Sequence, residues 1–179
     1  MGIIFRETKL KGAFVIEPQK FEDERGFLRR SFSHKEFAEH GLNPNVAECN
    51  ISFSKNRYTI RGMHFQKPPF AQAKLVRCTK GAVLDVIIDL RPESATFKEW
   101  IGEELTEDNR LLLYVPEGFA HGFQTLEPSS EVFYQMSEVY APDYEGGYRW
   151  NDPCFGIAWP ANDGITINWR DQNFPDFKG

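Results

Sequence analysis

The chain has 179 residues, enough for one full core and too few for two ordinary domains, so residues 1–179 read as a single domain. A net charge of −5 excludes nucleic acid as the main partner, because that role needs a basic face. Three cysteines, Cys49, Cys78 and Cys154, lie far apart with no CxxC or Cys/His ligand spacing, which excludes a disulfide framework and a zinc ribbon.

The start, "MGIIFRETKLKGAF", is charged too early for a signal peptide, and Arg6 stands where a myristoylation signal needs Ser or Thr. No apolar run is long enough to span a bilayer. The reading is a soluble cytoplasmic protein with no membrane partner.

In chain order, "AFVIEP" is a first strand ended by Pro18, and "DERG" is a turn leading into a second, "FLRRSF". "SHKEFAEHGL" is the clearest helix: Ser33 and Glu36 have capping-box spacing and Gly41 supplies the stop. His34 and His40 fall on its polar surface. Strands resume with "VAECNISFS", "YTIRGMHFQ" and "KLVRCTKG". "AVLDVIIDLR" is apolar on both faces apart from Asp85 and Asp89, as a central strand would be. "EWIGEEL", "RLLLYVPEG", "AHGFQTLE" and "EVFYQMSEVY" complete a series of short strands at regular spacing, the pattern of an antiparallel sandwich or barrel. From "GIAWPANDG" onward periodicity is lost, and Trp159 and Trp169 are expected to pin the tail.

"TIRGMHFQ" carries the first chemistry. On period two, Ile60, Gly62, His64 and Gln66 share one face, and Arg61, Met63 and Phe65 the other. A bulge at Gly62 would turn Arg61 toward the pocket of His64. A lone strand histidine is open to three readings: a satisfied interior residue, a metal ligand, or a proton-transfer group beside an anion site. Arg61, with Lys74 and Arg77 on the next strand, makes a local cationic patch in an acidic chain. His121, in "PEGFAHGFQ", follows a Pro-Gly turn and so lies near a strand end or barrel mouth. A metal-binding barrel would use two or three His and a carboxylate. "GMHFQ" lacks the second histidine of a His-x-His pair, and no Glu follows to complete a shell, so neither metal nor cofactor is expected. In "EVFYQMSEVY", Tyr134 and Tyr140 share parity, so both can face inward, either as packing with a satisfied hydroxyl or as a general acid.

"FEDERGFLRRSF", "RGMHFQ", "AQAKLVRC", "GAVLDVIIDLR", "VPEGFAHGF", "VFYQMSEVY" and "WNDPCFGIAWP" follow in an order that resembles the dTDP-4-dehydrorhamnose 3,5-epimerase family over nearly the whole chain. The resemblance implies an all-β, cupin-like jelly roll (a double-stranded β-helix with a few short helices) that forms homodimers and uses no metal. It implies inversion at C3, C5 or both of a nucleotide-diphosphate-linked 4-keto-6-deoxyhexose, in deoxysugar biosynthesis of the rhamnose or O-antigen type. It further implies that His64 is the base, Asp171 its orienting partner, Tyr134 the acid on the opposite face of the ring, and Lys74 with His121 the groups that stabilise the C4 oxyanion. Arg61 and Arg25 would then hold the diphosphate, while Phe27, Asn50 and Tyr140 complete substrate binding. The types suit the chemistry: a proton beside a ketone leaves only if the enolate oxygen meets positive charge or strong donors, and histidine is ordinarily a neutral base near pH 7.

The sequence departs from the family pattern at several positions. Arg30 stands for the usual Glu and Glu48 for the usual Gln, both in the implied base-recognition region, so an Arg30–Glu48 pair is conceivable. A carboxylate only accepts hydrogen bonds, which suits the amine of cytosine and makes a CDP-linked sugar a competitor to the dTDP-linked one. Gln135 replaces a Lys after Tyr134, Val139 replaces a Tyr, and the usual Ser-x-Lys-Asp appears as "NWRD" ending at Asp171. The second reading is a non-catalytic sugar-nucleotide-binding module.

Overall fold

The computed structural model describes residues 2–178. In order the strands are β1 (Ile3–Glu7), β2 (Phe14–Pro18), β3 (Lys20–Asp23), β4 (Gly26–Arg29), β5 (Glu48–Ser54), β6 (Ile60–Gln66) and β7 (Lys74–Lys80). They continue as β8 (Ala82–Asp89), β9 (Trp100–Thr106), β10 (Leu112–Val115), β11 (Phe119–Thr125), β12 (Ser130–Met136) and β13 (Glu145–Gly147). The helices are α1 (His34–Glu39) and α2 (Trp169–Gln172).

Two antiparallel sheets, in the orders β1-β2-β10-β7-β12-β5 and β13-β6-β11-β8-β9, face one another as a cupin-like jelly roll, and β3-β4 forms a separate hairpin. Alternation along the strands sends Val15, Val76, Leu113, Val132, Val83, Ile87 and Phe123 into a shared core between the sheets. α1 covers the outer face of the first sheet, with Phe37 packed among Ile16, Leu75, Leu112 and Tyr114. Segment 148–177 covers the outer face of the second, where Trp150, Phe155 and Trp159 meet Ile60, Met63 and Val86. Each such apolar side chain contributes about 1.5–3 kcal/mol when fully buried. β8 is buried on both faces, as expected for a strand that is apolar apart from Asp85 and Asp89.

Several expectations are corrected. The first strand is β1, not "AFVIEP": Ile3 is buried and Phe5 half-buried, while Ile4, Arg6 and Glu7 are exposed. β2 is therefore an interior strand between β1 and β10, and the sheet ends on β1 and β5. "FLRRSF" is a strand only through Arg29, because the chain must leave it to reach the N-cap of α1. Ser33 accepts from the Glu36 N–H as a cap should, but the Glu36 carboxylate turns to the Ile3 N–H and Arg30 instead of closing the capping box. His34 and His40 are exposed, as expected. Trp159 pins the tail, its indole N–H donating to the Trp150 carbonyl at 2.8 Å. Trp169 does not: it is 78% exposed, and Ile165, Ile167 and Phe177 pack on the core instead.

Candidate active site

Between the sheets, at one end of the sandwich, lies a cavity of about 380 Å³, ample for one sugar unit. The first sheet lines it with Asn50 and Ser52 from β5, Lys74 from β7, and Tyr134 and Met136 from β12. The second lines it with Arg61 and His64 from β6, His121 and Phe123 from β11, and Glu145 from β13. Asn168, Arg170 and Asp171 close one side from the α2 segment. His64 and Tyr134 thus border one cavity from opposing sheets.

The bulge expected at Gly62 is present. His121 pairs with His64 and Phe123 with Arg61, so three steps on β6 match two on β11. Ile60 and Met63 consequently both face the outer core, while Arg61 and His64 both face the cavity. Only glycine fits there. Gly62 has φ +133°, its peptide to Met63 is cis, and an added Cβ would stand 2.5 Å from the Gly122 Cα.

Two imidazole–carboxylate pairs flank the cavity. His64 Nε2 lies 2.9 Å from Asp171 Oδ1, and the Asp171 Oδ2 accepts the Gly62 N–H at 3.0 Å. Burial alone would raise the Asp171 pKa, but the bond and charge of His64, the Gly62 N–H and Arg170 outweigh it and leave the carboxyl below its ordinary value. An ionised carboxylate only accepts, so His64 carries its proton on Nε2, and the neutral ring keeps a lone pair on Nδ1. The side chain is 25% exposed and so accessible. His121, almost fully buried, donates from Nε2 to Asp85 Oδ1 at 2.8 Å. Asp85 Oδ2 is buried and makes no hydrogen bond among the described residues.

The Lys74 ammonium lies deep in the cavity, although the residue as a whole is only part-buried. Burial pulls its pKa down to about 8, against the opposing charges of Asp85 and Glu145. At pH 7 it is still a cation. Glu145 accepts from the Tyr140 hydroxyl at 2.7 Å and from Arg170 at 2.8 Å. The Tyr140 pKa rises through that bond to Glu145, then through desolvation and the carboxylate's charge. Arg61 donates to the Phe53 carbonyl and the Ser54 hydroxyl, which fixes the guanidinium at the cavity wall. Among the described residues, no group of three or more His, Cys, Asp or Glu side chains is placed to hold a metal ion.

A profile of the family described as dTDP-4-dehydrorhamnose 3,5-epimerase matches residues 7–179. The chain belongs to this family of isomerases. It is 42% identical over 172 residues to the dTDP-4-dehydrorhamnose 3,5-epimerase of Methanothermobacter thermautotrophicus, covering 95% of this chain and 92% of that one. The crystal structure of the Elizabethkingia anophelis dTDP-4-dehydrorhamnose 3,5-epimerase matches with a TM-score of 0.95 at 41% identity, over 98% of this chain and 96% of that one. The Bacillus anthracis dTDP-4-dehydrorhamnose 3,5-epimerase structure, with TDP and PPi bound, matches with a TM-score of 0.94 at 41% identity, over 98% of this chain and all of that one.

Of the site residues expected for a 3,5-epimerase, His64, Tyr134, Asp171, Lys74, Asn50, Arg61, His121 and Tyr140 all line the cavity. Four do not. Arg25 and Phe27 sit on the β3–β4 hairpin beside a separate surface pocket, where Arg25 pairs with Asp23 and Phe27 lies against Lys20, Arg29 and Arg110. Arg30 joins Glu36 of α1 at 3.2 Å, and Glu48 accepts the Tyr140 N–H at 3.3 Å. No Arg30–Glu48 ion pair is found among the described residues; α1 brings its own carboxylate to Arg30. Glu145, Arg170 and Asp85 were not singled out for the site. The signal for Asp85 was legible, since a carboxylate in an otherwise apolar two-sided strand needs a partner.

Proposed function

We propose that this epimerase-family chain inverts C3, C5 or both of a dTDP-linked 4-keto-6-deoxyhexose in the cytoplasm, by enolate formation and reprotonation. The observation that carries this reading is the shared cavity with His64 on one sheet and Tyr134 on the other. His64 Nδ1, the lone-pair nitrogen, takes the proton beside the ketone while Asp171 orients the ring and stabilises the imidazolium that forms. Lys74 and His121 meet the negative charge developing on the C4 oxygen, in a site where water no longer screens it. Tyr134 delivers a proton to the opposite face, which is what distinguishes inversion from simple exchange. Arg61 takes the diphosphate. Its guanidinium offers the fork that suits phosphate oxygens.

The nucleotide follows from the family and from the TDP bound by the Bacillus anthracis relative. A CDP-linked sugar is the competing reading, motivated by Glu48, whose carboxylate touches the Tyr140 backbone at the cavity rim. Incubating dTDP- and CDP-linked 4-keto-6-deoxyglucose with the protein in D2O tests both. Deuterium enters the ring beside the ketone and inverted sugar accumulates, faster for the dTDP form. Tight binding with unchanged, unlabelled sugar would instead indicate a binding module.

The protein also acts as a homodimer. Every residue of the β3–β4 hairpin except Arg29 is exposed, including Phe21, Phe27 and Leu28. Ile51 and Phe53 form an uncovered apolar strip on the outer face of β5. A second copy covers that strip and receives the hairpin, bringing Arg25 and Phe27 to a neighbour's cavity. Ile51→Glu turns the dimer into a monomer in analytical ultracentrifugation. A parent protein that sediments as a monomer at micromolar concentration would overturn the pairing.

A further inference from the structure

We propose that the C-terminal strap, residues 174–177, is a positioning device for the base: Phe177 and its buried anchor Asp152 hold α2 so that Asp171 stays on His64. This rests on the proposed roles of His64 and Asp171.

α2 has only four residues and cannot hold a position by itself. It hangs between two anchors. Upstream, the Thr166 carbonyl accepts the Ile60 N–H at 2.8 Å, tying the segment to the start of β6. Downstream, Phe174 stands edge-on to the His64 ring, centroids 5.7 Å apart. It also lies against Gly147, where a Cβ would come within 2.6 Å of its ring. Gly147 is the register partner of His64 on β13, so Phe174 wedges beside the base.

The strap then locks. The Pro175 carbonyl accepts the Arg149 N–H, and Arg149 Nη2 donates to Asp176 at 3.0 Å. The Phe177 ring inserts among Tyr148, Phe155 and Phe97, with the Lys98 ammonium 4.8 Å above it. The Phe177 N–H donates to Asp152 Oδ2, while Asp152 Oδ1 accepts the Cys154 N–H, so this buried carboxylate is satisfied only when the strap is docked. A carboxylate buried at 2% exposure that loses such a donor is left undersolvated, which gives docking a strong preference. Between the two anchors, Asp171 is fully buried and held by the Asn168 side chain, the Gly62 N–H and His64. Withdrawing the downstream anchor lets α2 pivot and the carboxylate drift from Nε2.

The test compares the parent, Phe177→Ala, Phe177→Leu, Asp171→Asn and the double variant Phe177→Ala/Asp171→Asn. The readout is the rate of deuterium entry into the sugar in D2O, resolved into kcat and KM. The expected result is a fall in kcat of about tenfold to a hundredfold for Phe177→Ala, the size of a misplacement near 1 Å, with KM changed less than about twofold. Phe177→Leu restores most of the rate, and Phe177→Ala costs nothing further once Asp171 is Asn. Should Phe177→Ala fail to fold, Asp176→Asn removes only the exposed ion pair and shows a several-fold loss with the same non-additivity. A folded Phe177→Ala with parental kcat, or losses that multiply in the double variant, would overturn the proposal. Parental kcat in Asp171→Asn alone would instead refute the role of Asp171.

Discussion

Replacing Lys74 with Met lowers kcat/KM about a hundredfold to a thousandfold, the usual consequence of removing one preorganised group from a developing oxyanion. The same change raises the melting temperature. Burial depresses the ammonium from its ordinary 10.5 to about 8, so holding the charge costs the folded state on the order of 3 kcal/mol at neutral pH. Met fills similar space without that cost, and a gain of even 1 kcal/mol raises Tm by about 2–4 °C in a chain of this length. The pH dependence has a definite sign. Between about 8 and 10.5 the unfolded lysine binds a proton that the folded one has lost, so the parent gains stability as pH rises through that window. The stability gap between parent and Lys74→Met is therefore widest below pH 8 and closes by pH 10.5. The parent's kcat/KM falls as pH rises through about 8, and the residual activity of the variant lacks that limb. A Met variant that is slower and also less stable across this range would contradict the buried-cation reading.

His64→Asn reduces deuterium entry by at least about a thousandfold, at the upper end for loss of a general base that also starts the reaction. Asparagine keeps a polar side chain beside Asp171 but has no basic nitrogen. Binding of dTDP changes little, because Arg61 and the rest of the cavity wall are untouched. Isothermal titration with dTDP, run beside the exchange assay, separates lost chemistry from a lost site. Exchange at the parental rate would place the base elsewhere.

Most of the fold was legible because its signals are local. Most of the short strands from β5 to β12 show as alternation, β8 shows as a run apolar on both faces, and Gly62 was readable as a bulge because a glycine inside a strand of bulky residues needs a reason. The elements misread were those set by distant partners. β1 is a short apolar triplet with one fully buried residue, followed by Arg6 and Glu7, and only pairing with β2 makes it a strand. Trp169 looked like an anchor on composition alone, yet an aromatic in an irregular tail has no period to say which way it points. The same limit hid Glu145 and Arg170, which meet each other and Tyr140 across an aperiodic stretch. Arg25 and Phe27 matched the family motif but stand outside this chain's cavity, since a motif does not reveal which copy's pocket a hairpin serves.

The opposed placement of His64 and Tyr134 is tested most directly by Tyr134→Phe with the dTDP-linked 4-keto sugar in D2O, followed by proton NMR. Deuterium should enter beside the ketone while the configuration stays that of the substrate, because the base can remove and return hydrogen on its own face but nothing supplies the other. Inverted sugar should form about a hundredfold more slowly than with the parent. Inverted, deuterated sugar appearing at the parent's rate would mean that the phenol across the cavity is not the acid.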